Sequence, residues 1–394
     1  MGVRQVALSD AGRGPPAQTM TMASRGMVCL RGAADRGMVR AMVRGDGAMS
    51  DEFDVVRSPR LSIVIPAPAD TAAMEETLVS VLENRPDDCE IVVALGCEYA
   101  DPWNIREEVR FVQAPAGSGL VSCVNLGVAA SEGEIVHVLA AGWRATAGWT
   151  AAAVERFNDD TVAAVVPLGV AADDRVVSAG VRTTRGGRRI DVAADATWRR
   201  ARASAGRPTA AVLPMGPVLE AGFWRADVFE MAGRGFTTSC GEPLADADMA
   251  VTLSRCGRTV ELEPASVVVA AERRATRSRP FAAGLHAERL FWRSLAGQSV
   301  VQAAACHLYE ILRHAVARAP LGTLPMLAGR LVALLQFGSY LPRYMQLRGL
   351  IAAAAADRTH GEERSEERTI RIDGPHAAVG RPKRRVSEPL RKSA

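Results

Sequence analysis

The middle of the chain alternates short apolar runs with segments of helical periodicity, and this alternation limits the fold more than any other feature. Mostly apolar runs occupy residues 61–66, 90–95 and 135–139, and apolar side chains recur at helical spacing in 71–84 and 120–131. Continuous apolar runs are typical of strands that are buried on both faces, and their alternation with helices favours parallel pairing. The sequence therefore predicts an α/β fold with a mostly parallel sheet flanked by helices.

The remainder of the chain divides into segments of different composition. Residues 1–58 are rich in Gly, Ala, Arg and Met without apolar periodicity, which predicts a disordered or mis-annotated extension, since Met49 is an alternative start. Residues 59–297 are predicted to form the α/β domain, 298–356 a helical C-terminal extension, and 357–394 a disordered basic tail. No run of about 20 uncharged apolar residues occurs, so a transmembrane helix is not expected.

Charge and cysteine usage narrow the classes of function. The net charge of +4 over 394 residues is concentrated in the terminal segments and does not predict a nucleic-acid partner. The seven cysteines are scattered and include no C-x-x-C pair. Reduced thiols in a cytoplasmic protein are therefore expected, and a zinc site is not.

Short motifs follow one another along the predicted α/β domain. They are 61–66 (LSIVIP), 90–93 (EIVV), 117–127 (GSGLVSCVNLG), 131–139 (SEGEIVHVL), 148–149 (GW) and 246–257 (DADMAVTLSRCG). In this order and spacing, over residues 60–297, the chain resembles family 2 glycosyltransferases, the inverting type with the GT-A fold. The resemblance implies the GT-A architecture of nucleotide-diphospho-sugar transferases, a nucleotide-sugar donor, a divalent cation (Mg²⁺ or Mn²⁺) and a carboxylate base.

The chain departs from the family's pattern at the carboxyl ends of the predicted strands, where ligands bind in open α/β sheets. Ala140 and Gly142 stand where the family's D-x-D acids hold ribose and metal, so the resemblance implies a degenerate site without metal ligands. The turns at 67–70 and 94–97 also lack the family's usual polar contacts. Trp143 follows the altered turn, and it either stacks on a sugar or base or fills the emptied pocket.

Two carboxylates remain at the start of a predicted helix. The resemblance places Asp246 at the family's catalytic base and Asp248 at the next acidic position, a candidate contact with the donor. The alternative is that both side chains cap the helix and face water, and for Asp248 a structural role is favoured. Gly117 and Gly119 either let backbone N–H groups approach a diphosphate at a helix start or form an ordinary loop.

Further candidate residues are scattered along the domain. Pro66 closes the first strand, Asn125 lies in a turn that the family shares, and Arg144 either contacts a phosphate directly or is solvated. His286 and Arg289 lie on a helix where some family members carry a group that ligates metal or contacts phosphate. A histidine that is simply packed or exposed is the alternative at this position.

Two functional hypotheses follow from this pattern. The first is transfer of a sugar from a nucleotide-sugar to a glycan or lipid-linked acceptor in polysaccharide biosynthesis, with Asp246 as the base. Without a metal, Arg144 or Arg289 would supply the positive charge. The alternative is a catalytically inactive family member that binds a glycan or nucleotide or acts as a scaffold. The leucine-rich segment 321–344 either packs on the main domain or makes peripheral contact with the inner face of the cell membrane.

Overall fold

The computed structural model describes residues 59–193, 213–270 and 279–372. Its strands are β1 (Leu61–Ala67), β2 (Cys89–Leu95), β3 (Arg110–Gln113), β4 (Ile135–Leu139), β5 (Arg144–Ala145), β6 (Val162–Val170), β7 (Val176–Ser178), β8 (Val181–Thr183), β9 (Arg189–Asp191), β10 (Ala221–Arg225) and β11 (Thr259–Val269). All but β8 and β9 belong to one sheet, in the order β3-β2-β1-β4-β10-β6-β11-β5, with β7 paired to β6. β8 and β9 form a separate antiparallel hairpin.

The strands near the start of the described chain form a parallel half-sheet. β1 pairs in parallel with β2 and β4, and β2 pairs in parallel with β3. Alternate residues of β1 enter different apolar clusters, with Ile63 and Ile65 on one face and Val64 on the other, and all three are fully buried. Burial on both faces explains why β1 is a continuous apolar run in the sequence.

The second half of the sheet is joined to the first by an antiparallel strand. β10 lies between β4 and β6 and runs antiparallel to both, and β11 pairs in parallel with β6. As a result, β1, β2, β4 and β6 all end at the same edge, which we call the carboxyl edge. In open α/β sheets this edge is the usual place for a ligand.

Helices cover both faces of the sheet. α1 (Thr71–Glu83) and α3 (Ala151–Arg156) pack on the face that contains Ile63. α2 (Leu120–Ala130), α4 (Ala226–Met231) and α5 (Ala245–Arg255) pack on the face that contains Val64. Most strands of the sheet run in one direction, so the predicted α/β class with a mostly parallel sheet flanked by helices is confirmed.

The described chain ends in a series of helices. α6 (Pro280–Arg293), α7 (Val300–Ala317) and α8 (Thr323–Leu335) are followed, after a 3₁₀ turn at Phe337–Tyr340, by α9 (Leu341–Ile372). α6 packs tightly against α8, and Gly329 permits this close contact. A Cβ at this position would lie 2.9 Å from the backbone nitrogen of Leu285.

The structure shows part of one of the two segments that the sequence predicts at the ends of the chain. α9 continues beyond residue 357, where the sequence predicts a disordered tail. The predicted extension at 1–58 and the tail from residue 373 lie outside the described residues. Among the residues that are described, no single helix is long and apolar enough to cross a membrane. α8 and Phe337–Asp357 meet that criterion only as a pair, which is bent by 67°.

Candidate functional site

Asp246 lies in the first turn of α5, but it is buried. Only 3% of the residue is accessible, and the helix is capped by Leu244, which offers no side-chain hydrogen bond. Arg189 of β9 holds both carboxylate oxygens, with its Nε 2.9 Å from Oδ1 and its Nη2 2.7 Å from Oδ2. Asp246 therefore does not face water as the alternative expects, although its Oδ1 accepts the N–H of Ala247 in the first turn of the helix. Asp246 is one half of a buried ion pair.

Arg189 connects Asp246 with other carboxylates. Burial by itself lowers the pKa of Arg189, but the negative charges of Asp246, Glu220 and Asp191 raise it above its ordinary value. Glu220 is the residue before β10, and its carbonyl accepts a hydrogen bond from the N–H of Ala140 at 2.8 Å. Arg189 therefore lies among carboxylates, and the backbone of one of them, Glu220, contacts the turn after β4.

The turn after β4 offers no side chain that would bind a metal ion. Ala140 is buried, and Gly142 donates its N–H to Oγ1 of Thr77 in α1 at 2.8 Å. Trp143 is buried as well, and its ring lies 2.9 Å from the position of a Cβ on Gly169. Trp143 is therefore packed inside the fold against Gly169 and is not exposed as a stacking surface.

The chain's own donors do not fit the divalent cation that the resemblance implies. Across the described residues, no group of three or more His, Cys, Asp or Glu side chains is arranged to hold a metal ion. The methyl of Ala140 and the backbone of Gly142 leave the expected ligand positions without oxygen side chains, and hard cations prefer oxygen ligands.

Gly117 and Gly119 lead into α2. Gly117 has a φ of +77°, which side chains with a Cβ rarely adopt, and Gly119 is the N-cap of the helix. The carboxylate of Glu242 lies directly in front of this helix end, where its Oε1 accepts a hydrogen bond from the N–H of Val121 at 3.3 Å. The same carboxylate occupies the position of a Cβ on Gly119. An anionic group of the chain itself is therefore at the place where the sequence predicts a diphosphate.

Glu242 also brings the start of α2 close to Asp246. The 3₁₀ turn Glu242–Leu244 leads directly into α5, so the two carboxylates lie about one helical turn apart along the chain. His286 of α6 lies against the same turn, with its Nδ1 2.6 Å from the position of a Cβ on Gly241. The structure thus brings together three of the residues that the sequence singles out: Gly119, Asp246 and His286.

His286 and Arg289 lie on α6, but they differ in their contacts. Burial and the positive charge of Arg289 lower the pKa of His286. Arg289 donates its Nη2 to the side-chain oxygen of Gln336 at 2.7 Å. His286 therefore faces the turn before α5, whereas Arg289 connects α6 with the segment after α8.

Pro66 and Asn125 have well-defined backbone contacts. The carbonyl of Pro66 accepts a hydrogen bond from the N–H of Ala141 at 3.2 Å, which connects the end of β1 to the turn after β4. The side chain of Asn125 accepts the N–H of Phe236 and donates to its carbonyl, both at 2.8 Å. Pro66 therefore lies at the carboxyl edge, whereas Asn125 fixes the loop that precedes α5.

Arg144 lies at another part of the carboxyl edge. It is exposed on the edge strand β5 and lines a groove of about 1050 Å³ together with Asp70, Glu76 and Asp173. This groove shares no lining residue with the cavity that Arg189 lines. The structure therefore does not place Arg144 in one cavity with Arg189.

Asp248 belongs to a separate buried cluster. Arg293 of α6 donates Nε to Oδ1 at 3.0 Å and Nη2 to Oδ2 at 3.1 Å, and Arg343 of α9 donates Nη2 to Oδ2 at 3.2 Å. Burial and the charge of Asp248 raise the pKa of the neighbouring Cys240 thiol. This cluster joins α5 to two helices of the C-terminal part. Asp248 does not face water either, because only 5% of it is accessible.

Three charged residues of the site are not identified from the sequence. Arg189 lies in a charged segment without clear periodicity, 57 positions from its partner Asp246. Glu220 precedes a short strand, and its proximity to Arg189 depends on the path of the hairpin. Glu242 lies just before α5, where an acid is common for electrostatic reasons, and nothing in the sequence indicates that it reaches α2.

Comparisons with known proteins return structural matches only. No protein-family model and no curated protein sequence matches the chain. Among solved structures, it is similar to mannosyltransferase PcManGT from Pyrobaculum calidifontis in complex with GDP-Man and Mn²⁺. The identity is 19% and the TM-score 0.45, over 76% of this chain and 87% of that chain. It is also similar to GalNAc-T7 with UDP, GalNAc and Mn²⁺, at 16% identity and a TM-score of 0.45, over 61% of this chain and 48% of that chain.

Proposed function

We propose that the protein is a GT-A-type glycosyltransferase of the family 2, inverting kind, which transfers a sugar from a nucleotide-sugar to a glycan or lipid-linked acceptor. The observation that supports this most strongly is the proximity of Asp246 to the glycine-opened start of α2, connected by the Glu242–Leu244 turn. Backbone N–H groups at a helix start bind diphosphates. A carboxylate close by is placed to deprotonate an acceptor hydroxyl.

In this proposal Asp246 is the catalytic base, and Arg189 controls its availability. Both oxygens of Asp246 accept hydrogen bonds from Arg189, and Oδ1 also accepts the N–H of Ala247 at 2.7 Å. An acceptor hydroxyl must replace one of the Arg189 contacts before its proton can pass to Asp246. The released guanidinium is then free to stabilise the leaving diphosphate. Arg189 thus takes the role that the sequence suggests for Arg144 or Arg289.

Glu242 has to move before a diphosphate can bind at the start of α2. Its carboxylate accepts the N–H of Val121 that the diphosphate would use, and two anions in one place repel each other. Pro66 and Gly117 remain candidate contacts for the donor in this arrangement, because they lie at the end of β1 and before the start of α2.

A second function is favoured by specific observations and stays a candidate. A catalytically inactive relative that binds a glycan or nucleotide, or acts as a scaffold, requires neither metal ligands nor a free base. The turn at Ala140 and Gly142 supplies no metal ligand, and Asp246 is held by Arg189 on both oxygens. These two features favour the inactive relative.

We also propose peripheral contact with the inner face of the cell membrane, through the outer sides of α7 and α8. Leu308, Leu312 and Val316 of α7 are each more than half exposed and follow one another at four-residue spacing. On α8, Leu324 and Leu335 are exposed by 77% and 80%, whereas Arg330 is buried. A helix with leucines outside and an arginine inside fits a lipid surface better than water.

The proposed function is tested by calorimetric titration of the full-length chain with UDP- and GDP-sugars, with Mn²⁺ and with EDTA. We expect binding in both conditions, because the N–H donors of Arg189 that Asp246 does not use are still available to the diphosphate. The variant Arg189→Lys keeps a charge opposite Asp246 but loses the paired hydrogen bonds, and we expect about tenfold weaker binding. The control is Arg175→Gln, whose side chain is 70% exposed in the Arg144 groove.

The outcomes show whether the chain has a donor site, and the release of nucleoside diphosphate in the presence of acceptor then separates an enzyme from an inactive relative that binds nucleotide. Binding that weakens in Arg189→Lys but not in Arg175→Gln supports the donor site at α2. If no nucleotide-sugar binds in either condition, the transferase proposal is wrong, and a scaffold role remains.

A further inference from the structure

A second cavity, of about 380 Å³, lies next to Arg189, and five of the residues that line it are arginines. We call it the arginine pocket, and its charged residues are Arg188, Arg189, Arg313, Arg318, Arg330 and Glu310. It is bounded by the tip of the β8–β9 hairpin and by α6, α7 and α8. Pro243 and Leu244, which come just before Asp246, form part of its wall.

The hairpin tip is held against the helices by close backbone contacts. A Cβ on Gly186 would lie 2.6 Å from the carbonyl oxygen of Cys306, and one on Gly187 would lie 2.7 Å from Cα of Phe291. Gly187 also has a φ of +84°, which favours glycine. These contacts fix the position of Arg188 and Arg189 relative to α6 and α7.

Two arginines of the pocket depend on a single shared acid. Arg188 and Arg313 share one carboxylate, Glu310, with Nε–O distances of 3.0 and 2.7 Å. Each of these bonds uses one of the five N–H donors of a guanidinium. The side chains of Arg188 and Arg313 are 38% and 39% exposed, so a ligand can reach them.

The deeper wall of the pocket contains a buried network. Arg330 donates Nη1 to Oε2 of Glu288 at 2.7 Å, and the Nε2 atom of His307 lies 3.0 Å from the same oxygen. Burial and the charges of Arg330, Arg318 and Arg313 lower the pKa of His314 to about 4. His314 is therefore neutral at physiological pH, so it neither adds positive charge to the pocket nor opposes the binding of an anion.

We propose that the arginine pocket binds a phosphate group, as a monoester or diphosphate, carried by the acceptor. The proposal rests on the proposed function, because it assigns an anionic acceptor to the transfer reaction. Guanidinium groups bind phosphate oxygens through paired hydrogen bonds, and two arginines that share one carboxylate keep donors and positive charge for a ligand. The pocket opens beside Arg189, so a bound acceptor has its phosphate close to Asp246.

The placement of the pocket also suits an acceptor that is attached to a lipid. Arg313 of α7 and Arg330 of α8 line the pocket, and the same two helices carry exposed leucines such as Leu312 and Leu335. A phosphate in the pocket is therefore separated from the proposed membrane surface only by this helical layer. A soluble phosphate ester has the same binding chemistry, and the experiment distinguishes the two sources.

The test measures binding of inorganic pyrophosphate to the full-length chain by titration calorimetry. We expect Arg188→Gln and Arg313→Gln each to weaken binding about 10- to 100-fold, the effect of one lost charge-assisted hydrogen bond. Arg318→Gln tests the same pocket without changing the ion pairs of Glu310. The matched control is Arg106→Gln, which is exposed and pairs with Asp101 elsewhere. Thermal unfolding confirms that each variant is folded.

Binding to phosphatidylcholine vesicles that contain either phosphatidic acid or phosphatidylglycerol then shows whether the phosphate group belongs to a lipid or to a soluble ester. Preference for phosphatidic acid that is lost in Arg313→Gln supports a lipid phosphate. Equal binding to both vesicles, together with Arg313-dependent pyrophosphate binding, supports a soluble phosphate. Pyrophosphate binding that is absent, or unchanged in all three pocket variants, overturns the proposal.

Binding of UDP and GDP to the wild type is measured in parallel. If the wild type binds pyrophosphate but neither UDP nor GDP, the result contradicts the proposed function but not the phosphate site in the pocket.

Discussion

Replacement of Asp248 by alanine should destabilise the protein strongly without any ligand being involved. Asp248 accepts hydrogen bonds from Arg293 and Arg343, and all three side chains are less than 10% exposed. Removal of the carboxylate leaves two buried guanidinium groups without their counter-charge. Loss of one partner of a buried ion pair costs about 3–5 kcal/mol of the free energy of unfolding. The second arginine places Asp248→Ala at the upper end of that range.

The assay is urea unfolding followed by far-ultraviolet circular dichroism, with the wild type and Asp160→Ala as references. Asp160 is fully exposed, and its contact with Arg225 is 4.0 Å long, so its replacement should change stability by less than about 0.5 kcal/mol. A second variant tests the cause directly. Arg343→Met added to Asp248→Ala removes one uncompensated charge and should recover part of the loss.

The reasoning is refuted if Asp248→Ala costs less than about 1 kcal/mol, since that is the size of an ordinary neutral hydrogen bond. It is also refuted if Arg343→Met adds further destabilisation to Asp248→Ala. Either result would mean that solvent reaches the arginines and compensates their charge.

Further predictions concern the start of α2, a buried histidine and the outer face of α8. Glu242→Gln should bind UDP about two- to fivefold more tightly than the wild type, because a negative charge leaves the helix start; equal or weaker binding contradicts the assignment. Burial lowers the pKa of His137 from 6.5 to about 3, so the unfolded chain takes up the proton first and the stability falls as the pH drops below 6.5. His137→Leu should show a shallower decline in urea unfolding between these pH values, and an unchanged slope would exclude His137 as a cause. Leu331→Glu, at a position 59% exposed, should reduce co-sedimentation with anionic vesicles without lowering the melting temperature, whereas Val79→Glu on α1 should not.

The sequence predicts the sheet well because several of its strands can be recognised from their own apolar residues. β1 and β4 are buried on both faces, and this leaves a run of apolar residues that needs no knowledge of partners. The helices α1 and α2 are recognised in the same way, from apolar residues at helical spacing. Gly117, at φ +77°, marks the loop before α2 for a similar local reason.

The charged contacts of the site depend on long-range geometry and are not evident in the sequence. Asp246 at the start of a helix is equally suited to cap it or to form an ion pair, and only the hairpin decides between them. The contact between Glu242 and Val121 spans 121 positions. For α8, the sequence shows leucines and arginines together, but which side is buried depends on α6, which packs against Arg330 and leaves Leu335 outside.

The central claim is that Asp246 takes the proton of an acceptor hydroxyl during sugar transfer. The most direct measurement is the rate of nucleoside-diphosphate release from the nucleotide-sugar that binds, in the presence of acceptor, for wild type, Asp246→Asn and the exposed control Asp173→Asn. We predict that Asp246→Asn binds the donor but loses about 10²- to 10⁴-fold in rate, the contribution of a general base. Asp173→Asn should retain the rate of the wild type. Turnover by Asp246→Asn at the wild-type rate, or no turnover by the wild type with any nucleotide-sugar, would contradict the claim.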